Sequence, residues 1–150
     1  MLQTAVPDVI SVRMPSRLEL LALLDGVTTS VCDRLHVDGD TASLISMSVI
    51  EAGTNAIQHG HKRDATRPVD IDFKLFADRI EVSVFDSGPG FDLKDIHADA
   101  TSPEHLFDAR GRGIFIMRSC MDTVDYEFSK TGTTCHLMKR FPPPAPAATE

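Results

Sequence analysis

The sequence predicts a two-layer α/β sandwich, in which a mixed, mostly antiparallel sheet carries its helices on one face. Two observations lead there. Val69 to Phe76 and Arg79 to Phe85 alternate apolar and polar residues at the period of a half-buried strand, with Ala77-Asp78 as the turn of a hairpin. The remaining segments then complete the order strand, helix, helix, hairpin, loop, helix, hairpin, and helices alternating with hairpins in this way need a shared sheet to cover.

Val9 to Met14 alternates weakly and reads as a first strand, closed by Pro15-Ser16. Ser16 with Glu19 has the spacing of a capping box and opens a helix that runs to about His36. Its apolar positions are Leu18, Leu21, Leu24, Val31 and Leu35, with Gly26 interrupting them. Val37-Asp38-Gly39 is a turn, and Asp40 or Thr41 caps a second helix carrying Leu44, Ile45, Val49, Ala52 and Ala56. Gly60 stops it, and His61 to Pro68 is a loop. After the first hairpin, Ser87 to Arg110 has little periodicity and many turn formers, as expected of a mobile functional loop. Gly113 to Met121 is a third helix. Thr123 to Ser129 and Thr133 to Phe141 form a second hairpin around Lys130-Thr131-Gly132. Residues 1–141 are thus expected to form one domain. The tail 142–150, with three consecutive prolines, is expected to be disordered.

The composition narrows the function classes. Charged residues make up 25% of the 150-residue chain and the net charge is −7, which argues against a nucleic-acid-binding surface. Cys32, Cys120 and Cys135 are widely spaced and odd in number, so buried free thiols are expected rather than a disulfide framework. The N-terminus lacks the pattern of a signal peptide, and no apolar run is long enough to span a bilayer. The expectation is a soluble, cytoplasmic protein with no membrane contact. His59 and His61 flank Gly60 and read as helix-end histidines rather than metal ligands.

Three motifs carry chemistry. Glu51 and Asn55 lie four residues apart on one face of the second helix. Taken alone, the pair also fits a solvated helix face. Asp86-Ser87-Gly88-Pro89-Gly90 ends a strand with an acid and two glycines, which taken alone also fits an ordinary turn. Gly111-Arg112-Gly113 opens the third helix, where glycines and the helix dipole favour an anion, although a simple hinge has the same composition. There is no P-loop and no Gly-x-Ser-x-Gly elbow. Together the three motifs supply a base, an amide ligand, a base-reading acid and a phosphate cradle.

In this order the motifs resemble those of the GHKL ATPase superfamily, whose members share the Bergerat, or histidine-kinase-like ATPase, fold. Within it the chain is most similar to the stand-alone anti-sigma-factor serine-protein kinases of bacterial partner-switching systems. Glu51 to His59 is similar to their N-box, Asp86 to Phe91 to their G1 box, and Gly111 to Met117 to their G2 box. Met121-Asp122 and Gly132-Thr133-Thr134 also match, so the resemblance spans about Val9 to Phe141.

The resemblance implies ATP and Mg²⁺ as cofactors. It implies Glu51 as general base, Asn55 as the Mg²⁺ ligand, and Asp86 as acceptor from the adenine amino group. Gly88 and Gly90 would shape the adenine pocket and hinge the lid, Gly111 and Gly113 would offer amides to the phosphates, and Thr133 would support the network. Arg110 and Arg112 would lie in the lid and offset phosphate charge. The implied partners are a STAS-type anti-anti-sigma protein as phosphoacceptor and a sigma factor or other output protein as sequestered target. A homodimer is typical of the subfamily. Two other readings stay open at this point: a catalytically silent ATP-binding sequestration module, and an ATP-binding partner of a separate phosphotransfer protein. Ile50 stands where the family commonly has a polar residue.

Overall fold

A computed structural model of the chain describes residues 6–95 and 109–142. The strands are β1 (Asp8–Met14), β2 (Val69–Leu75), β3 (Arg79–Asp86), β4 (Thr123–Ser129) and β5 (Gly132–Arg140). They form one sheet in the order β1-β2-β3-β5-β4, and every neighbouring pair is antiparallel. The helices are α1 (Leu21–Arg34), α2 (Gly39–Asn55) and α3 (Ala109–Cys120).

Alternation decides which sheet face is covered. On β2, Val69, Ile71, Phe73 and Leu75 point inward, and on β3 Ile80, Val82 and Val84 do the same. Their alternates Asp70, Asp72, Glu81 and Ser83 stay on the other face. The inward set meets Ile45, Val49 and Ala52 of α2 and Ala56 just beyond it, with Leu24 and Val31 of α1 and Ile114 and Met117 of α3 in the same core. Both hairpins fall where alternation places them. Cys32, Cys120 and Cys135 are buried free thiols, as their apolar surroundings imply.

Three local details differ from the sequence reading, each for a physical reason. Ser16 does not close a capping box. Its hydroxyl donates to the Arg67 carbonyl at 2.7 Å and lies 2.8 Å from His61 Nδ1. The chain therefore starts with a single 3-10 turn, Leu18–Leu20, before α1. Asp38, not Asp40 or Thr41, caps α2, accepting from the Thr41 backbone N–H at 2.9 Å. Finally, α2 does not stop in α-form. It passes at Asn55 into a wider π-turn over Ala56–Gly60.

α3 is described from Ala109, four residues before the start expected from the sequence. Arg110, Gly111 and Arg112 thus lie within the helix rather than in the loop ahead of it. The rest of the expected mobile loop, residues 96–108, and the tail, residues 143–150, lie outside the described residues. Among the described residues, no helix is long and apolar enough to cross a membrane.

Candidate functional site

The π-turn, the end of β3 and the start of α3 meet at one cleft. Ala52, Asn55, Ala56 and Gly60 form one wall, Val84 and Asp86 the floor, and Thr133, Cys135 and Tyr126 the far side. Register explains the far side. Asp86 pairs with Thr133 across β3–β5, and Tyr126 pairs with Cys135 across β4–β5.

Asp86 is the charged group at the bottom of the cleft, 8% exposed. Burial pushes its carboxyl above the usual carboxylate range. The Gly88 N–H, His61, Arg110 and Arg67 pull the other way. Its Oδ1 accepts from the Gly88 N–H at 2.9 Å. Gly60 and Gly88 make this packing attainable: a Cβ on Gly60 would stand 2.5 Å from Asp86 Oδ1, and one on Gly88 would stand 2.4 Å from the Gly60 carbonyl oxygen.

At the other end, Glu51 and Asn55 share one face of α2, with α3 pressed against them. Gly113 is the contact point. A Cβ there would lie 2.9 Å from Glu51 Oε2, 3.2 Å from Asn55 Nδ2 and 3.4 Å from Asn55 Oδ1. Gly111 is buried on α3, while Arg112 is exposed. Partial burial raises the Glu51 pKa, and the Arg112 charge opposes that rise.

Three polar atoms in the cleft are buried without a hydrogen bond of proper geometry: Asn55 Nδ2, Thr133 Oγ1 and the Tyr126 hydroxyl. Tyr126 lies near the Cys135 thiol and the Asn55 amide. An orphaned amide inside a wall calls for an acceptor or, turned over, offers its oxygen to a cation.

An aromatic cap covers the mouth. Phe91 meets Tyr126 and Phe128 edge-on at centroid distances of 5.1 and 5.2 Å, and the Arg110 guanidinium lies 4.3 Å over the Phe91 ring. Gly90, at φ +75°, turns the chain so that Phe91 folds inward. The enclosed space is about 20 Å³, room for one water.

Of the candidate residues from the sequence reading, Asn55, Asp86, Gly90, Arg110 and Thr133 line the cleft, Gly88 packs against Gly60 and Asp86, Gly113 lies against Glu51 and Asn55, and Gly111 and Arg112 stand between Arg110 and Gly113 on α3. Sequence reasoning missed Tyr126, Cys135 and Gly60. Counting outward from the Lys130-Thr131 turn places Tyr126 opposite Cys135, so that pair was within reach of the pattern. His61 stands at the end of the π-turn, as the sequence suggests, but is not exposed there. It is 1% exposed and hydrogen-bonded on both ring nitrogens.

Comparison with known proteins shows the family. The family described as "Histidine kinase-like ATPase domain" matches residues 14–139. The chain is 31% identical over 137 residues to the serine-protein kinase RsbW of Bacillus licheniformis, covering 88% of this chain and 85% of that protein. The RsbW protein of Bacillus subtilis gives the same identity and coverage. The catalytic domain of the histidine kinase ThkA superposes with a TM-score of 0.52 at 15% identity, covering 89% of this chain and 99% of that one, and so shares the fold. With all but a short segment at either end matched, and the matching boxes meeting at one cleft, the chain belongs to the histidine kinase-like ATPase domain family, with RsbW serine-protein kinases among its relatives.

Proposed function

We propose that this protein is an ATP- and Mg²⁺-dependent serine/threonine-protein kinase of the anti-sigma type. It phosphorylates a STAS-type antagonist and sequesters a sigma factor or another output protein. One observation carries the reading: a half-buried carboxylate, Glu51, stands one helical turn from a cleft-lining amide, Asn55, while a second acid, Asp86, is buried at the far end of the same cleft. The names of the RsbW relatives support it.

The residues present fit the cofactors. Among the described residues there is no cluster of three or more His, Cys, Asp or Glu side chains to cage a metal. Mg²⁺ keeps most of its waters, so a single amide oxygen from Asn55 suffices for an ion that arrives with the nucleotide. When bound, ATP supplies the transferable phosphoryl group and Mg²⁺ offsets its charge.

The chain's own groups then divide the work. Asp86 accepts from the exocyclic amino group of the base and selects adenine, with Thr133 and Tyr126 beside it. Asn55 holds the metal end. Arg110 and Arg112, on α3, add positive charge near the phosphates. Glu51 accepts the proton of the incoming serine or threonine hydroxyl. Its raised pKa brings it closer to working pH, which improves a general base. Phosphoryl transfer depends mainly on such positioning and charge neutralisation.

The test is transfer of the labelled γ-phosphoryl group of ATP to a STAS-type antagonist, followed by phosphoamino-acid analysis. Label on serine or threonine is the expected result. ATP binding without transfer to any antagonist would instead identify a sequestration module, and label passing to a phosphorylated histidine would identify a phosphotransfer partner.

Gly113→Ala probes the same arrangement. The added methyl meets the flexible end of Glu51, so the fold adjusts and the carboxylate moves. Transfer is expected to drop roughly tenfold to a hundredfold, with an unchanged thermal midpoint. Wild-type kinetics would show that Glu51 has no fixed position in the reaction.

A further inference from the structure

Behind Asp86 lies a chain of hydrogen bonds that reaches the junction of β1 and α1. Ser16 has a single hydroxyl proton, and the Arg67 carbonyl takes it at 2.7 Å. Ser16 Oγ is left to accept from His61 Nδ1, 2.8 Å away, so Nδ1 carries the imidazole proton. On the other side of the ring, the Ser87 backbone N–H donates to Nε2 at 2.8 Å. An amide N–H only donates, so Nε2 is bare. The partners thus fix His61 as neutral and in one tautomer.

The site it holds is the turn after Asp86. Ser87 N–H is held by His61 and Gly88 N–H by Asp86 Oδ1, so consecutive amides are clamped from two sides. Arg67 adds a third hold, donating to the Ser87 carbonyl at 2.6 Å and to Ser87 Oγ at 3.1 Å. The loop behind His61 is bent through two consecutive residues with positive φ, Lys62 at 51° and Arg63 at 61°, which few side chains adopt. That bend turns His61 inward and brings Arg67 back to the turn.

We propose that His61 is a positioning residue for the base-reading carboxylate, and that it holds the Asp86 turn only while its ring is neutral. The inference rests on the nucleotide role of Asp86 proposed above. Ser87 Oγ also lies 3.1 Å from Nε2, so a proton there would set the imidazolium against the Ser87 N–H, leave it only the hydroxyl oxygen that already accepts from Arg67, and add a cation beside Arg67. The turn would release, and Asp86 would lose its fixed direction.

The charged groups facing the ring are Arg67, Asp86 and Asp64. Burial and the Arg67 charge push the His61 pKa below its ordinary value, while Asp86 and Asp64 oppose this. The neutral form therefore persists at neutral pH. The hold is lost as pH falls through the lowered pKa of His61.

The experiment is calorimetric ATP binding with Mg²⁺ between about pH 8 and pH 5, on the full chain and on His61→Gln and His61→Leu. Glutamine keeps an acceptor for Ser87 and cannot titrate. The nucleotide's own protonation is common to all three proteins. Wild type is expected to lose about fivefold more affinity than His61→Gln across this range, the size of one hydrogen bond. His61→Leu is expected to bind about fivefold more weakly at pH 8, with the loss in KM for ATP and not in kcat. A His61→Gln profile identical to wild type overturns the inference while leaving the nucleotide site standing. Absence of ATP binding by wild type at every pH overturns the role of Asp86 and this inference with it.

Discussion

Glu51→Gln is expected to lower phosphoryl transfer by about 10²–10⁴-fold while ATP affinity stays within a factor of two or so of wild type. The glutamine keeps the shape of the side chain and its place against Gly113 but cannot take a proton from the acceptor hydroxyl. Glu51→Ala should give the same loss of rate. If the two variants differ sharply, the side chain acts by filling space; if both retain the wild-type rate, the base lies elsewhere. Steady-state phosphorylation of a STAS-type antagonist, with binding followed by calorimetry, separates these cases. Direct contact with Gly113 makes Glu51 sensitive to the placement of α3, so the carboxylate is poised only when that helix is docked.

Asn55→Ala removes the amide from the cleft wall. Mg²⁺ should then no longer strengthen ATP binding. The affinity expected in the presence of Mg²⁺ falls roughly tenfold to a hundredfold, the range for losing a contact to a charged partner. Binding without Mg²⁺ should change little, because the adenine end of the cleft is built by Asp86 and Thr133 on different strands. Calorimetry with Mg²⁺ and with a chelator measures both quantities. A full Mg²⁺ effect in the variant would place the metal ligand on another residue.

The parts of this architecture that local periodicity controls were legible in the sequence. The alternation of Val69 to Leu75 and of Arg79 to Asp86 set the strands, the turns set the hairpins, and burial of one face set the layer order. The three boxes were legible because each is a short contiguous run. What escaped were outcomes of competition between distant groups. Ser16 has the right spacing to cap a helix, yet His61 and the Arg67 carbonyl, far along the chain, claim its hydroxyl. His61 reads as a helix-end histidine, and nothing local to it announces that Ser16 and Ser87, distant in sequence, enclose its ring. The helical state of Ala109 to Arg112 has no signature in that Gly- and Arg-rich run. The Phe91–Tyr126–Phe128 cap joins two segments that only the fold brings together.

The π-turn at Ala56–Gly60 constrains how this protein can change over time. On an uninterrupted α-helix, residues five apart such as Asn55 and Gly60 diverge by about 140° around the axis. The wider turn narrows that divergence, and both residues border the one cleft. The extra residue works as a phase correction, joining the metal end of the site to the surface on which Asp86 rests. Substitutions here alter packing in small steps. A deletion rewinds the helix in one step and turns Asn55 or Gly60 out of the cleft. Across descendants of this sequence, the spacing between Asn55 and Gly60 should therefore be kept more strictly than the identity of the residues between them.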